Sequence, residues 1–276
     1  MIEEGGAGRR FYRISSLVNL VRRALMKRPP HPAFTRAMII VTLLVIWEIA
    51  ARWLIDPMFV SPPSSIILTL GTLFSTKGVL AALLVMLSEM ALAFVLSVVI
   101  GGAIGMLIGA SGLSRRSAMP IILLLYATPQ IALLPIVILA AGIGPTSKVL
   151  FGVSHGIFPM ILTVEASMRN MPPVLKTAMR SLGASRWHQW RYLWLPYMMP
   201  GLFTGMRLAM SATLLGVLLA ELFASSNGVG HFARRFAETF DPASLFGLIG
   251  VVATMAIVFN ETLRRAEMRL SRWRVR

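Results

Sequence analysis

Five glutamates lie in or beside long apolar stretches of the sequence, where a carboxylate can carry chemistry. Acidic side chains inside a membrane are costly to bury, and they commonly face protein or water along ion or substrate pathways. Glu221 is the best single candidate for a gating or substrate-path role, although a purely structural ion pair explains it equally well. The five residues are Glu48, Glu89, Glu165, Glu221 and Glu261.

The other four glutamates carry individual expectations from their surroundings in the sequence. Glu48 precedes Arg52 by one helical turn, so we expect the two to pair locally. Glu89 lies deep in an apolar stretch and has no obvious local partner. Glu165 and Glu261 lie near the predicted cytoplasmic ends of their stretches, and we expect both to be hydrated.

Three residues of one apolar stretch form a second candidate group for the translocation path. Proline removes a helix donor and clashes with the preceding turn, so a helix containing two prolines is expected to bend. Carbonyls freed by such a bend can line a path through the membrane. A kink needed only for packing is the simpler alternative. The three residues are Pro129, Gln130 and Pro135.

Sequence signatures of enzymes are missing. The chain has no Cys, which excludes disulfides, thiolate catalysis and Cys-based metal sites. Its four His residues share no ligand-like spacing, and no GxxxxGK[ST] phosphate loop occurs. Neither an HExxH motif nor a Ser-His-Asp order supports an intramembrane hydrolase. We therefore expect a chain that is not an enzyme and that binds no metal or cofactor of its own.

The apolar residues arrive in blocks long enough to cross a bilayer. The chain has 276 residues, of which 56% are hydrophobic and only 14% are charged. A membrane-spanning helix needs roughly 18–20 apolar residues. The sequence predicts an all-α membrane protein with six transmembrane helices, at about 37–55, 81–110, 118–141, 147–166, 201–224 and 243–262.

The basic residues predict the orientation of these spans. With six spans, 22 of the 27 Lys and Arg residues fall on one side of the membrane. Lys and Arg concentrate on the cytoplasmic side, so both termini are predicted to be cytoplasmic. The net charge of +16 then reflects topology and not nucleic-acid binding. The predicted organisation is a basic arm (1–36), a membrane domain (37–262) and a basic tail (263–276).

A row of glycines marks one face of the second span. Gly101, Gly105 and Gly109 recur every four residues and leave bare backbone along one side of the helix. Such a groove invites close packing by a neighbouring helix.

A polar, basic insert at 167–200 separates the predicted fourth and fifth spans. Pro172 and Pro173 suit a first helical turn, and Gly183 suits a left-handed helix end. Ser185 can cap a second helix, which contains three Trp residues. The Trp residues can equally mark a hairpin lying among lipid headgroups. The first helix carries an apolar stripe at helical spacing: Val174, Leu175, Ala178, Met179 and Leu182.

The insert resembles the cytoplasmic signature of permease subunits of ATP-binding-cassette importers. That signature is Glu-Ala-Ala, three residues, Gly, nine residues, then Ile, any residue, Leu-Pro. This chain matches it in register at Ala178, at Gly183 and at Leu195-Pro196. Thr177 replaces the acidic residue, Met179 the second Ala and Leu193 the Ile.

Further segments resemble the nitrate, sulfonate and taurine branch of that family. They are SPPS (61–64), ATPQIALLPIVIL (127–139), GIGPTSK (142–148) and LLAELFASSNGVGHF (218–232). Ala140-Ala141 stands where the branch usually has Trp-Phe. Together the similar segments cover roughly residues 57–262.

The resemblance implies a type I importer fold in which the first insert helix is a coupling helix that docks on a separate ATPase dimer. The implied docking residues are Val174, Leu175, Lys176, Thr177, Ala178, Met179, Arg180, Leu182 and Gly183, with Leu193, Leu195 and Pro196 closing the loop. ATP and Mg would be bound by that ATPase.

The resemblance also implies further partners. They are a second permease subunit (as a homodimer) and a periplasmic or lipid-anchored solute-binding protein, in a bacterial inner membrane. The expected cargo is a small anion such as a sulfonate, nitrate or taurine, or a related small molecule. The alternative function is an autonomous secondary transporter that uses intramembrane carboxylates.

Overall fold

The computed structural model describes residues 32–225 and 228–270, and all regular structure within these ranges is helical. Most of the predicted basic arm, residues 1–31, and the last six residues of the predicted tail lie outside the described residues. The chain divides into two units, residues 1–56 and 57–276. Each unit is described by itself.

The first unit contains one long apolar helix, α1 (Pro32–Trp53). It begins five residues before the predicted first span and is long and apolar enough to cross a membrane. Arg52 pairs with Glu48 one turn earlier, which confirms the local ion pair expected from the sequence.

The second unit is a bundle of helices of very different lengths. Its elements are α2 (Pro63–Ser75), α3 (Val79–Ala110), α4 (Gly112–Ala127), a 3₁₀ turn (Gln130–Leu133), α5 (Leu134–Ala141), α6 (Pro145–Arg169), α7 (Pro173–Ser181), α8 (Arg186–Gln189), a π-helical turn (Trp190–Trp194), α9 (Leu195–Ala224), α10 (Val229–Glu238) and α11 (Pro242–Leu270).

Five helical segments of the described residues are long and apolar enough to span a membrane, and a bent pair raises the number to six. The bent pair is α4 with the 3₁₀ turn and α5, whose axes differ by 84°. The predicted bend is therefore present, and it lies between Ala127 and Gln130, at Pro129. Pro135 falls in the first turn of α5, where no backbone donor is needed.

Helix α6 lies at the centre of this unit, packed between α3 and α9. The glycine face of α3 meets α6 directly. A Cβ atom on Gly101 would lie 2.8 Å from the backbone oxygen of Ile157, and one on Gly105 would lie 2.8 Å from that of Ile161. These contacts bring the two backbones together along several turns.

Two helices of the second unit do not follow from the sequence patterns. Helix α2 begins at Pro63, within a Pro-Pro pair that predicts a break but also suits the first turn of a helix. Helix α10 is short and amphipathic, with Phe232 and Phe236 packed against the core and Arg235 exposed. Its ten residues are too few to register as a membrane span.

Candidate functional site

Two groups of polar residues occupy opposite ends of the α6 and α9 helix pair. Residues 170–194 connect the end of α6 to the start of α9, and we call this side the insert end. Lys148 lies in the first turn of α6 and Glu221 in the last turn of α9, at the side we call the far end. Helix α6 has 25 residues, and with a rise of about 1.5 Å per residue its two ends are roughly 36 Å apart.

The far end holds three buried charged side chains from three helices. The Nζ atom of Lys148 on α6 lies 3.1 Å from Oε1 of Glu89 on α3 and 3.4 Å from Oε1 of Glu221 on α9. The exposed fractions are 4% for Glu89, 4% for Lys148 and 0% for Glu221. We call these three residues the far-end triad. Because each residue comes from a different helix, the triad ties α3, α6 and α9 together.

Glu221 also holds the start of α10. The backbone N–H of Gly230 donates to Oε2 of Glu221 at 2.9 Å. Gly228 has φ +119°, a conformation that favours glycine, and a Cβ there would lie 2.5 Å from Oε1 of Glu221. A Cβ on Gly230 would lie 2.5 Å from the backbone carbon of Glu221. The two glycines therefore let the backbone reach this carboxylate.

Glu89 accepts fewer hydrogen bonds than Glu221. Its Oε1 accepts from Lys148, but its buried Oε2 has no hydrogen-bond partner among the described residues. The sequence gives Glu89 no local partner, and the structure supplies one that is 59 residues away. The sequence shows that the three charged residues lie in three different apolar stretches, which indicates that each needs a partner. Only the packing of the three helices shows that they pair with one another.

At the insert end, the expected hydration of Glu165 is wrong. Glu165 is 2% exposed, and its Oε1 lies 3.9 Å from Nε of Arg115 and 4.0 Å from Nε of Arg169. It is buried because α6 stays packed to its last turn, where Ser167 lies against Gly201 of α9. Glu261, by contrast, is partly exposed and pairs with two arginines of its own helix.

The insert forms a helix and a turn, as the sequence predicts, but the predicted end of the second helix at Leu195-Pro196 is wrong. That helix continues through the π-helical turn into α9, because Leu195 and Pro196 form the first turn of α9. Helix α7 ends at Ser181, and Gly183, which has φ +68°, turns the chain two residues later. The Ser185 hydroxyl then accepts from the backbone N–H of His188 and caps α8. The Nζ atom of Lys176 lies 4.4 Å from the ring centre of Trp194, a cation–π contact that holds α7 against the start of α9.

Much of the apolar stripe on α7 faces outward. Val174 is 69% exposed and Leu182 is 81% exposed, and Ala178 between them is exposed as well. Leu175 is exposed to a smaller extent, and Met179 is half-buried. We call Val174, Leu175, Ala178 and Leu182 the α7 strip. No described residue of the second unit buries this strip.

The remaining loop residues lie on α7, on α8 and at the start of α9. Trp187 and Trp190 stack with ring centres 6.0 Å apart, and both are exposed. Leu193 lies in the π-helical turn, and Leu195 and Pro196 form the first turn of α9. Thr177 donates its hydroxyl proton to the backbone oxygen of Pro173 at 3.3 Å, and Arg180 is exposed.

The proline group lies close to the far end. Pro129 and Pro135 are exposed, and Gln130 is half-buried. Leu134, at the start of α5, packs against Phe151 and Ala220, and this contact brings the kink beside the last turns of α9. The path role of these residues and of Glu221 stays a prediction.

A groove of about 710 Å³ lies between α9, α10 and α11 and is lined almost entirely by apolar side chains. Its one charged lining residue, Arg234, donates to the backbone oxygens of Leu222 and Ser225. The groove therefore offers little to a polar solute. Within residues 32–225 and 228–270, no cluster of His, Asp or Glu could hold a metal ion.

Comparisons with known proteins give the family. Residues 101–265 match the family model described as binding-protein-dependent transport system inner membrane component. The chain is 30% identical to the taurine transport system permease protein TauC of Escherichia coli (strain K12), over 84% of this chain and 86% of that protein. It is 27% identical to the formylaminopyrimidine transport permease protein ThiX of Halalkalibacterium halodurans, over 90% and 99% of the two chains.

A solved structure shares the fold. A chain of the MetNI methionine ABC transporter, in an inward-facing conformation, superposes with a TM-score of 0.62 at 16% identity, covering 69% of this chain and 95% of that chain. The predicted all-α, type I importer permease fold is confirmed by this likeness and by the helices described above. The chain belongs to the binding-protein-dependent transport system inner membrane component family, as a multi-pass permease subunit of an ABC importer and not an enzyme.

Proposed function

We propose that this permease is driven by a separate ATPase that docks on the α7 strip. The observation that carries the proposal is a short helix, outside the apolar spans, whose apolar side chains face away from its own subunit. Exposed apolar patches on an otherwise folded protein mark interaction sites. ATP and Mg are bound by the ATPase, and this chain contributes the docking helix and the membrane path.

The position of α7 suits it to transmit force. The Lys176–Trp194 contact and a hydrogen bond from the Tyr197 hydroxyl to the backbone oxygen of Asn170 (2.9 Å) tie the insert to the first turn of α9. A movement of α7 is therefore transmitted to α9 through these contacts. It is transmitted to α6 through the polypeptide chain that joins the two helices. Rocking of these helices opens the path to alternate sides of the membrane.

The rim of the docking surface is basic. Thr177 stands where the family signature has an acidic residue, and its hydroxyl bonds to its own helix. Lys176 and Arg180 flank it. We infer that the groove of the partner ATPase presents acidic or neutral groups here.

We propose that the cargo is a small sulfonate or a related anion. The relatives include permeases named for taurine, aliphatic sulfonates and nitrate. The buried cation of the far end, Lys148, already binds two carboxylates. Selection of the anion therefore falls to a periplasmic or lipid-anchored binding protein that delivers the cargo.

In the assembled transporter, two copies of this chain form the path between them. The insert and both termini face the cytoplasm, on the side of the basic residues, as the positive-inside rule requires. The spans lie in a bacterial inner membrane.

The coupling proposal is tested by co-expressing the full permease with an ABC ATPase from the same organism. In nanodiscs, the double variant Val174→Ser/Leu182→Ser is expected to lose ATPase co-purification and stimulated ATP hydrolysis, while its yield and size-exclusion profile stay unchanged. Leu113→Ser is the matched control, because Leu113 is 78% exposed at the insert end but lies on α4. Normal ATPase binding by the double variant would refute coupling through α7.

The cargo proposal needs a separate measurement. Reconstituted transporter with its binding protein is expected to accumulate radiolabelled taurine when ATP is supplied, and unlabelled sulfonates are expected to compete. Uphill uptake driven by a proton or sodium gradient without the ATPase would instead support the secondary transporter.

A further inference from the structure

The far-end triad contains more negative than positive charge. Two carboxylates surround one ammonium group, and the three side chains are at least nine-tenths buried. With both carboxylates ionised, the triad would carry a net charge of −1. An uncompensated buried carboxylate is strongly disfavoured, and such groups commonly take up a proton instead.

The hydrogen bonds distinguish the two carboxylates. Glu221 receives Lys148 on one oxygen and the backbone N–H of Gly230 on the other, at 3.4 Å and 2.9 Å. Both donors favour an ionised carboxylate. Glu89 receives Lys148 on Oε1, and its buried Oε2 has no partner among the described residues. The oxygen with room for an additional proton is therefore Oε2 of Glu89.

The charged and titratable groups on the surrounding helices do not supply the missing positive charge. α2 has no charged residue, and α3 has none besides Glu89. His155, two turns after Lys148 on α6, contacts the backbone oxygen of Phe151 through Nδ1. On α10, Arg234 donates to the backbone oxygens of Leu222 and Ser225 and pairs with Glu238, and the Nδ1 atom of His231 has no partner among the described residues.

We propose that the far-end triad is a proton-binding site, with the proton on Oε2 of Glu89. An O–H bond forms at Glu89, whose carboxylate loses its charge, and the Lys148–Glu221 ion pair remains. The triad is then neutral as a whole. The proton on Glu89 lets Glu89, Lys148 and Glu221, from α3, α6 and α9, lie in one buried site without a net charge, and Glu221 keeps its bond to α10.

Infrared spectroscopy of the purified transporter at neutral pH, in a maltoside detergent that has no carbonyl group, tests this site directly. A protonated carboxyl group has a C=O stretching band that ionised carboxylates lack, and the band shifts when hydrogen is exchanged for deuterium. The wild-type protein is expected to show one such band per permease. Glu89→Gln is expected to abolish it, because a neutral amide then stands beside an intact Lys148–Glu221 pair.

Two further variants locate the proton. Glu89→Asp is expected to keep the band but move its frequency, since the protonated group itself changes. Glu221→Asp is expected to leave the frequency near that of the wild type. The controls are Glu165→Gln and His231→Gln, and both are expected to leave the band intact.

Several results would overturn the proposal. Absence of the band in the wild type, or its survival in folded Glu89→Gln protein, excludes a proton on Glu89. A frequency shift in Glu221→Asp but not in Glu89→Asp places the proton on the other carboxylate. Loss of the band in His231→Gln makes the imidazole part of the site. Each variant is first checked for a wild-type size-exclusion profile, and Glu89→Asp serves if Glu89→Gln does not fold.

Discussion

The two ends of the α6 and α9 helix pair differ in which side chains are buried. The far end buries a group of charged side chains, whereas the insert end exposes apolar ones. At the far end, Glu89, Lys148 and Glu221 are buried together and in direct contact. At the insert end, Glu165 is buried, but its nearest arginine nitrogens are at 3.9 and 4.0 Å and belong to side chains that reach solvent. There the exposed side chains are the apolar ones of the α7 strip.

This difference separates residues that hold the bundle together from residues available to a partner. Buried charges must be matched within the subunit, so changes at the far end act first on folding. Exposed apolar residues contribute little to the fold, so changes in the α7 strip act first on assembly. Variants at the two ends are therefore expected to separate stability from coupling.

The largest loss of stability is expected from Lys148→Met. This change leaves the buried Glu221 carboxylate without its cation, and removal of one partner of a buried ion pair costs about 3–5 kcal/mol. The measurement is the thermal unfolding midpoint of the purified permease in detergent or nanodiscs. Adding Glu221→Gln to Lys148→Met is expected to recover part of the loss, because Glu89, protonated as proposed above, is neutral and no unmatched charge then remains.

Arg169→Met at the insert end is the matched control for this prediction. Arg169 is largely exposed and lies 4.0 Å from Glu165, so the loss of this pair is expected to cost about 0–1 kcal/mol. Equal destabilisation by the two Met variants would contradict the distinction between the two ends.

The far-end triad shows which part of the site the sequence could not predict. Glu221 is a candidate from the sequence, and Glu89 is recognisably buried, but Lys148 lies 59 residues from one and 73 from the other. Which charges meet depends on how α3, α6 and α9 pack. Local spacing carries no information about such contacts.

The next largest effect is expected from Gly230→Ala. The new Cβ would lie 2.5 Å from the backbone of Glu221 and Leu222 on α9, so α10 must shift away from α9 to make room for it. Overpacking of this kind costs about 1–3 kcal/mol. Thermal unfolding of the purified permease measures the loss, and weaker protection of the Gly230 amide from hydrogen exchange would show that its bond to Glu221 is broken.

Gly250→Ala provides the control, because a Cβ there meets nothing within 4 Å. Gly250 lies inside α11, and alanine is favoured over glycine in a helix by about 0.8–1.0 kcal/mol. The control is expected to be neutral or slightly stabilising. A Gly230→Ala protein as stable as Gly250→Ala would mean that α10 is not held by this contact.

A smaller effect is expected from Gly183→Ala in the insert. Gly183 has φ +68° and open space around it, so the cost is conformational and amounts to about 1–2 kcal/mol. We expect a small drop in the unfolding midpoint and a larger drop in ATPase stimulation, because the angle between α7 and α8 changes. Gly112→Ala is the control: its Cβ also meets nothing, and its φ is not in the left-handed region.

The structure of the insert, in contrast to the far-end triad, could be predicted largely from the sequence. The prolines, Gly183 and the Ser185 cap act within a few residues of one another, and each lies where the local pattern places it. The bend at Pro129 follows from the same kind of local chemistry. Burial of Glu165 does not, because it depends on the packing of α6 between two distant helices.

The smallest effect on stability is expected from the double variant Val174→Ser/Leu182→Ser. Because both side chains already reach solvent, their replacement is expected to shift the unfolding free energy by no more than about 0.5 kcal/mol. Met179→Ser on the half-buried face of the same helix is the internal comparison and is expected to destabilise more. If the double variant unfolds as early as Met179→Ser, the strip packs within its own subunit, and ATPase loss in that variant no longer indicates docking.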